Sequence, residues 1–163
     1  AKLPPARVRR QEDGFRRCKR TQCRLCPYTN LKQGEILKSV KISSTGEDLK
    51  ITGQLTCQSS NLIYIGSCVK GDRTCPDNPQ YCGETGKTAE ERFVGHRNSI
   101  VQACQTTTTL PVGEHFRSAG HSVSDFVFTP VEKIYGGVFI RKARERLLIN
   151  KLDLINSGLN RRL

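Results

Sequence analysis

The sequence predicts an α+β fold: a compact domain with a small sheet and flanking helices, behind a short metal-stapled module. Three observations carry this expectation. The run Asn61-Leu-Ile-Tyr-Ile-Gly-Ser-Cys68 is apolar and rich in β-formers, as a buried strand should be. Two later stretches carry helical spacing and helix-boundary signals. Cysteines gather in the first third of the chain at intervals that suit a tetrahedral metal ion.

In chain order, residues 1–15 contain Pro4-Pro5 and many charges without periodicity, which predicts a flexible basic arm. Residues 16–57 form the cysteine-rich module, with short strands at Val40–Ser43 and Leu49–Thr56 about the turn Ser44-Thr45-Gly46. The main domain, residues 58–163, begins with the Asn61–Cys68 strand. A loop holding Gly71, Pro76 and Pro79 leads to a second strand around Gln80–Glu84. Thr88-Ala-Glu-Glu91 has the form of a capping box, placing a helix over Ala89–Cys104. Residues 105–119 are polar and contain Pro111 and Gly113, so they read as a connection. A third strand fits Asp125–Phe128 and extends toward Ile134 only if Pro130 sits at an edge or a break. Helical spacing returns from Val138 to Asn156, with Ser157-Gly158 as the stop.

The chain has 163 residues, and 36% of them are hydrophobic, enough for one modest core. No apolar run approaches the ~18 residues of a membrane span, and the beginning lacks the apolar core of a signal peptide. These features predict a soluble intracellular protein, and the absence of Met, even at position 1, predicts a piece of something longer. The net charge of +12 is concentrated at the start, where residues 1–32 hold ten basic groups against Glu12 and Asp13. Arg7, Arg9, Arg10, Arg16, Arg17, Lys19, Arg20 and Arg24 form a segment suited to a polyanion, since each neutralised phosphate releases condensed counterions. A solvated basic tail would have the same composition.

Eight cysteines pose a choice between disulfides and metal. Without a secretion signal, clustered thiols favour metal. Cys18-x4-Cys23-x2-Cys26 supplies three ligands, because a two-residue gap lets two thiolates grip one ion from a tight turn. Cys57, following a strand that returns toward the cluster, is the expected fourth ligand.

Other residues stand where chemistry would need them. Glu145 shares a helical face with Leu148, Ile149 and Leu152, so it should be paired, protonated or bound to a cation. Arg141 or Arg144 could be its partner. Arg92 and His96 lie four residues apart, on one side of a helix. Tyr64 and Tyr81 stand on adjacent strands and would equally serve as core residues.

In this order, Tyr64 in Leu-Ile-Tyr-Ile-Gly, Tyr81-Cys82-Gly83-Glu84-Thr85, Arg92-x3-His96, Glu145 and Asn160 resemble the pattern of GIY-YIG nuclease domains. A closer resemblance is to the endonuclease domain of Penelope-like retroelements. It adds the Cys18, Cys23 and Cys26 cluster, Leu55-Thr-Cys57-x3-Asn61, Gly83-Glu-Thr-Gly86, Pro111-x3-His115-Phe116 and Gly158-Leu-Asn160. The resemblance spans roughly residues 14–163. Leu replaces the first Gly of the family signature and Cys replaces its second Ile, but both tyrosines remain. The sixteen residues between the tyrosines exceed the usual separation, which lengthens the hairpin loop.

The resemblance implies a GIY-YIG nuclease fold with a three-stranded antiparallel sheet, and hydrolysis of DNA phosphodiesters with one Mg²⁺ or Mn²⁺ on Glu145. Arg92 and the metal would neutralise the transition state. Tyr64 would act as a phenolate base whose pKa is lowered by nearby cations, with Tyr81 or His96 holding the water or relaying a proton. Asn160 would orient the active-site groups. It further implies nuclear localisation, and a reverse transcriptase domain with its RNA in the parent polypeptide. The topology brings Cys68, Cys75, His115 and His121 to one end of the sheet, where they suit a second zinc, although His121 could instead assist the active site. Cys82 and Cys104 remain as free core thiols. The competing readings are a catalytically silent zinc-dependent DNA-binding module and a repair or restriction nuclease of the same fold.

Overall fold

The computed structural model describes residues 2–3, 11–71, 73, 75, 77–103, 111–118 and 120–161, so Arg7, Arg9, Arg10 and Cys104 lie outside the described residues. Regular structure is found within the stretch that the charge-rich start predicts as an arm. Strand β1 (Gly14–Arg16) runs parallel to β4 (Gln54–Thr56), with Phe15 opposite Leu55 and both side chains buried. The arm expected to reach residue 15 therefore yields to a strand at Gly14, because burying an aromatic ring offsets the entropy of ordering that backbone. Between them, β2 (Ser39–Lys41) and β3 (Asp48–Lys50) form an antiparallel hairpin. The expected strand Leu49–Thr56 is thus two strands, β3 and β4, each with its own partner.

The main sheet contains β5 (Ser60–Cys68), β6 (Gln80–Thr88) and β7 (Phe126–Lys133) in the antiparallel order β6-β5-β7. The apolar run becomes the central strand and is buried throughout from Leu62 to Cys68. Strand β7 continues past Pro130, which lies opposite Tyr64 beside a register shift. An outer strand tolerates a residue without an N–H at such an irregularity.

Helix α1 (Ala89–Ala103) follows β6 directly, and the Thr88 hydroxyl accepts the Glu91 N–H as the capping pattern predicts. Residues 111–118, expected as a connection, form α2 (Pro111–Ser118) and pack on α1. Pro111 starts this helix, since its missing N–H is not needed at the first position, and Val112 and Phe116 face the core. Helix α3 (Val138–Lys151) is shorter than expected. It stops where Asp153 turns left-handed and accepts hydrogen bonds from Asn156 and Ser157.

The segment before residue 58 and the segment after it share one core. Tyr28, on a short 3-10 turn at Cys26–Tyr28, lies 5.1 Å from the Phe93 ring of α1. Buried Gln80 links β6 to the first segment by donating to the Lys41 carbonyl and accepting from the Ser43 N–H. Among the described residues, no helix is long and apolar enough to cross a membrane.

Candidate active site and metal centres

Cys23 and Cys26 are brought together by the two-residue gap and the 3-10 turn that starts at Cys26, while Cys57 arrives from the end of β4. The sulfurs of Cys18 and Cys26 are 3.7 Å apart and those of Cys26 and Cys57 are 3.6 Å apart. All four donors, with Cys23, lie within 4.8 Å of one another and all are buried. A tetrahedron with metal–sulfur distances of about 2.3 Å has edges of about 3.8 Å, so this spacing fits zinc. Burial pushes the Cys23 thiol up to about 11 and raises Cys57 as well. At Cys26, burial is outweighed by Arg17 and the neighbouring thiols, leaving its pKa lowered. Four thiolates gathered away from water would need a cation to be stable, and the buried four-cysteine cluster could hold a zinc ion.

A second group of four donors lies at the opposite end of β5. The Cys75 sulfur is 3.4 Å from that of Cys68 and 3.5 Å from Nε2 of His115, and His121 completes a set within 4.8 Å. Both ring nitrogens of His121 are buried without a hydrogen-bond partner. That is costly for an imidazole unless one nitrogen binds a cation. Burial and the neighbouring His121 hold His115 below the usual histidine range, in the neutral form a metal requires. This placement puts His121 with the cysteines. Cys82 is buried as a free thiol, as expected.

Tyr64 occupies the centre of the remaining polar constellation. Its hydroxyl lies 2.7 Å from Nε2 of His96 and accepts from Nε of Arg92 at 3.0 Å. Both partners come from α1, where the four-residue spacing puts them on one side. Burial and the Arg92 charge hold His96 down to about 3, so its imidazole is neutral. The Arg92 guanidinium carbon also stands 5.9 Å from the Tyr64 ring centroid. The Tyr81 ring lies 6.3 Å from Tyr64 and 5.8 Å from His96. Gly83 is what lets the tyrosine ring cross its neighbouring strand: opposite Tyr64, an added Cβ would fall 2.4 Å from the hydroxyl.

The expected phenolate is corrected here. Tyr64 is fully buried, and desolvation raises its pKa despite Arg92. It is a neutral hydroxyl that orients Arg92 and His96. Tyr81, less deeply buried, lines a cavity of about 70 Å³ with Arg92 and His96.

Glu145 lies on α3, half-buried, and its charge reaches Tyr81, Tyr64 and Arg92. Neither Arg141 nor Arg144 neutralises it as the sequence allowed. Arg141 pairs with Glu84 at 2.8 Å and Arg144 with Glu132 at 2.8 Å. Burial and the Glu84 carboxylate raise the Glu145 pKa, the condition in which a carboxylate accepts a cation. An open groove of about 360 Å³ is lined by Glu84, Lys87, Glu91 and Arg92.

Asn160 stands behind this cleft. Its side chain accepts from the Cys82 N–H at 2.8 Å and donates to the Cys82 carbonyl at 2.9 Å, pairing with the free edge of β6 as another strand would. Gly158 permits the approach, since a Cβ there would lie 2.7 Å from the Gln80 carbonyl. Asn160 therefore positions Tyr81 and Gly83 through Cys82.

No protein-family model matches the chain, and no curated protein or solved structure matches it.

The described basic residues of the first segment divide into two groups. Lys19, Arg20 and Arg24 are exposed, although Arg20 and Arg24 also pair with Glu90. Arg16 is tied to Gln11 and the Glu12 carbonyl, while Arg17, expected on DNA, turns inward to Cys26 and the Leu31 carbonyl. Sequence reasoning missed Glu90. This buried carboxylate accepts the Arg24 N–H at 2.6 Å and pairs with Arg20, bonds that lower its pKa and join the cysteine turn to α1. Its place beside the capping box gave no such signal. Also missed was the pair of bonds from Arg141 to Glu84 and Asn61, which fixes α3 against the sheet.

Proposed function

We propose that this protein is a zinc-stapled DNA endonuclease of GIY-YIG type that hydrolyses one phosphodiester at the Tyr64–Arg92–Glu145 cleft. The observation that carries the reading is the Tyr64 hydroxyl held between His96 and Arg92, with Tyr81 alongside and Glu145 within electrostatic reach. These residues come from four separate elements, and a binding surface alone would not need a carboxylate facing a phosphate site.

Arg92 commits Nε to Tyr64 and offers its other N–H groups to a phosphate in the adjoining groove, where Lys87 adds positive charge. The hydrogen bond between Tyr64 and His96 holds the two side chains in place beside Arg92. Tyr81 is the tyrosine positioned to orient the attacking water. Bound to Glu145, Mg²⁺ or Mn²⁺ supplies neutralisation of the charge that develops on the phosphate. Zinc on Cys18, Cys23, Cys26 and Cys57, and a second zinc on Cys68, Cys75, His115 and His121, complete the cofactors. Lys19, Arg20 and Arg24 supply sequence-independent contacts to the DNA backbone. The biological reading is a nick in nuclear DNA that primes insertion of a retroelement, with a reverse transcriptase and its RNA carried by the parent polypeptide.

The test is a supercoiled plasmid incubated with purified protein and Mg²⁺ or Mn²⁺. Nicking that disappears in Arg92→Ala supports the proposal. If the wild type binds DNA but leaves it intact across both metals and a range of pH, the catalytically silent binding module is correct.

A further inference from the structure

The beginning of α3 and the turn before it carry aromatic groups that the fold does not use. Phe139 is 86% exposed and Tyr135 is 85% exposed, with Val138 and Ile140 also open to solvent. Grouped exposed apolar side chains of this size mark an interaction surface rather than ordinary surface scatter. At about 100° per residue, Phe139, Lys142 and Arg146 form one stripe of the helix, and Leu148 lies on the opposite side. Glu145 falls on the shoulder between them, so the stripe borders the cleft.

The charge along this stripe selects the partner. Arg141 and Arg144 are committed to Glu84 and Glu132. Lys142 and Arg146 are exposed and form no salt bridge among the described residues. The helix starts at Gly137 without a side-chain cap and has no acidic residue in its first turn, so the positive end of its dipole adds to theirs. An aromatic ring flanked by cations meets both requirements of a nucleic acid, a stacking face for a base and compensation for phosphate.

We infer that this face of α3 grips the DNA beside the bond to be cut, and that Phe139 stacks against a base at an opened or unpaired step. The inference rests on the endonuclease reading for its choice of DNA as partner. The preferred substrate is then DNA that is already bulged, mismatched or easily unstacked, because the unstacking cost is lower there.

Duplexes carrying 2-aminopurine at successive positions, intact or with one unpaired base, test this with the full chain in Ca²⁺, by fluorescence and binding affinity. Wild-type protein should brighten 2-aminopurine at a defined position and bind the unpaired-base duplex roughly five- to a hundredfold more tightly than the intact one. Phe139→Ala should lose both effects, and Phe139→Trp should retain them; the exposed position makes either substitution safe for folding. Lys142→Ala with Arg146→Ala should reduce the dependence of affinity on salt. Equal fluorescence and equal discrimination in wild type and Phe139→Ala would overturn the inference. So would a concentration-dependent dimer that Phe139→Ala dissociates without altering DNA binding, which would assign the patch to a second copy of the chain. These readouts need no cleavage: a protein that opens DNA through Phe139 but never nicks a plasmid would refute the nuclease reading and leave the stacking role of Phe139 standing.

Discussion

The four-cysteine cluster and the cleft around Tyr64 solve opposite problems with buried polar groups. In the cluster, four thiols face one another within 4.8 Å, and burial opposes the ionisation of Cys23 and Cys57. A cation bound among them would offset that cost. In the cleft, the Tyr64 hydroxyl already has His96 and Arg92 as partners, and Glu145 is the group left with an unmet charge. The first site is built from donors that could hold a zinc ion, whereas the second is organised by contacts among its own side chains. Loss of metal should therefore unfold one and merely silence the other.

The largest expected effect comes from Cys57→Ser. Removing a ligand from a structural zinc site forfeits much of a binding free energy of about 10 kcal/mol or more, so cooperative melting should vanish along with bound zinc. A normal thermal transition with unchanged zinc content would erase the contrast. Next in size is Glu145→Gln, which should lower plasmid nicking by at least about a hundredfold, the scale of losing one main electrostatic contributor. Its melting temperature should stay level or rise slightly, because the repulsion from Glu84 is relieved. Unfolding of this variant would show that the cleft, like the cluster, is held by its ligand.

Cys75→Ser sharpens the comparison further. The second donor group should lose its ion, taking metal analysis from two zinc ions per chain to one, while the first cluster stays filled. A stoichiometry unaffected by the substitution would remove the second site.

The smallest expected effect concerns pH. His96 has a folded pKa of about 3, below its ordinary 6.5, so the unfolded chain takes up this proton first as pH falls. Its contribution to stability is complete above about pH 6.5 and is lost toward pH 3, at a limiting slope of about 1.4 kcal/mol per pH unit for one proton. Denaturant titrations of wild type and His96→Gln over this range share every cysteine effect, so their difference should show the slope. Parallel curves would mean that His96 is not held neutral by the fold.

Much of this was legible because the signals are local. Cys23-x2-Cys26 announces a metal turn within four residues, the run to Cys68 announces a central strand, and Arg92 and His96 announce a shared side of one helix. What stayed hidden depends on residues far apart in the chain. Pro111 has the same local signature as a breaker or a helix start, and only the packing of α2 on α1 distinguishes them. By spacing alone Glu145 could pair with Arg141 or Arg144, but Glu84 and Glu132, distant in the chain, claim both. Arg17 and Lys19 look alike in a basic run, yet one turns toward Cys26 and the other toward solvent.

By itself, the sequence determined the class of structure and the cast of reactive groups, because periodicity, turn chemistry and ligand spacing are properties of neighbouring residues. Only the tertiary structure decided their protonation and their duties. Burial of Tyr64 under α1 makes it a neutral anchor instead of a phenolate, and edge pairing with Cys82 makes Asn160 a positioning residue. Desolvation and proximity set such properties, and both depend on what the rest of the chain brings alongside.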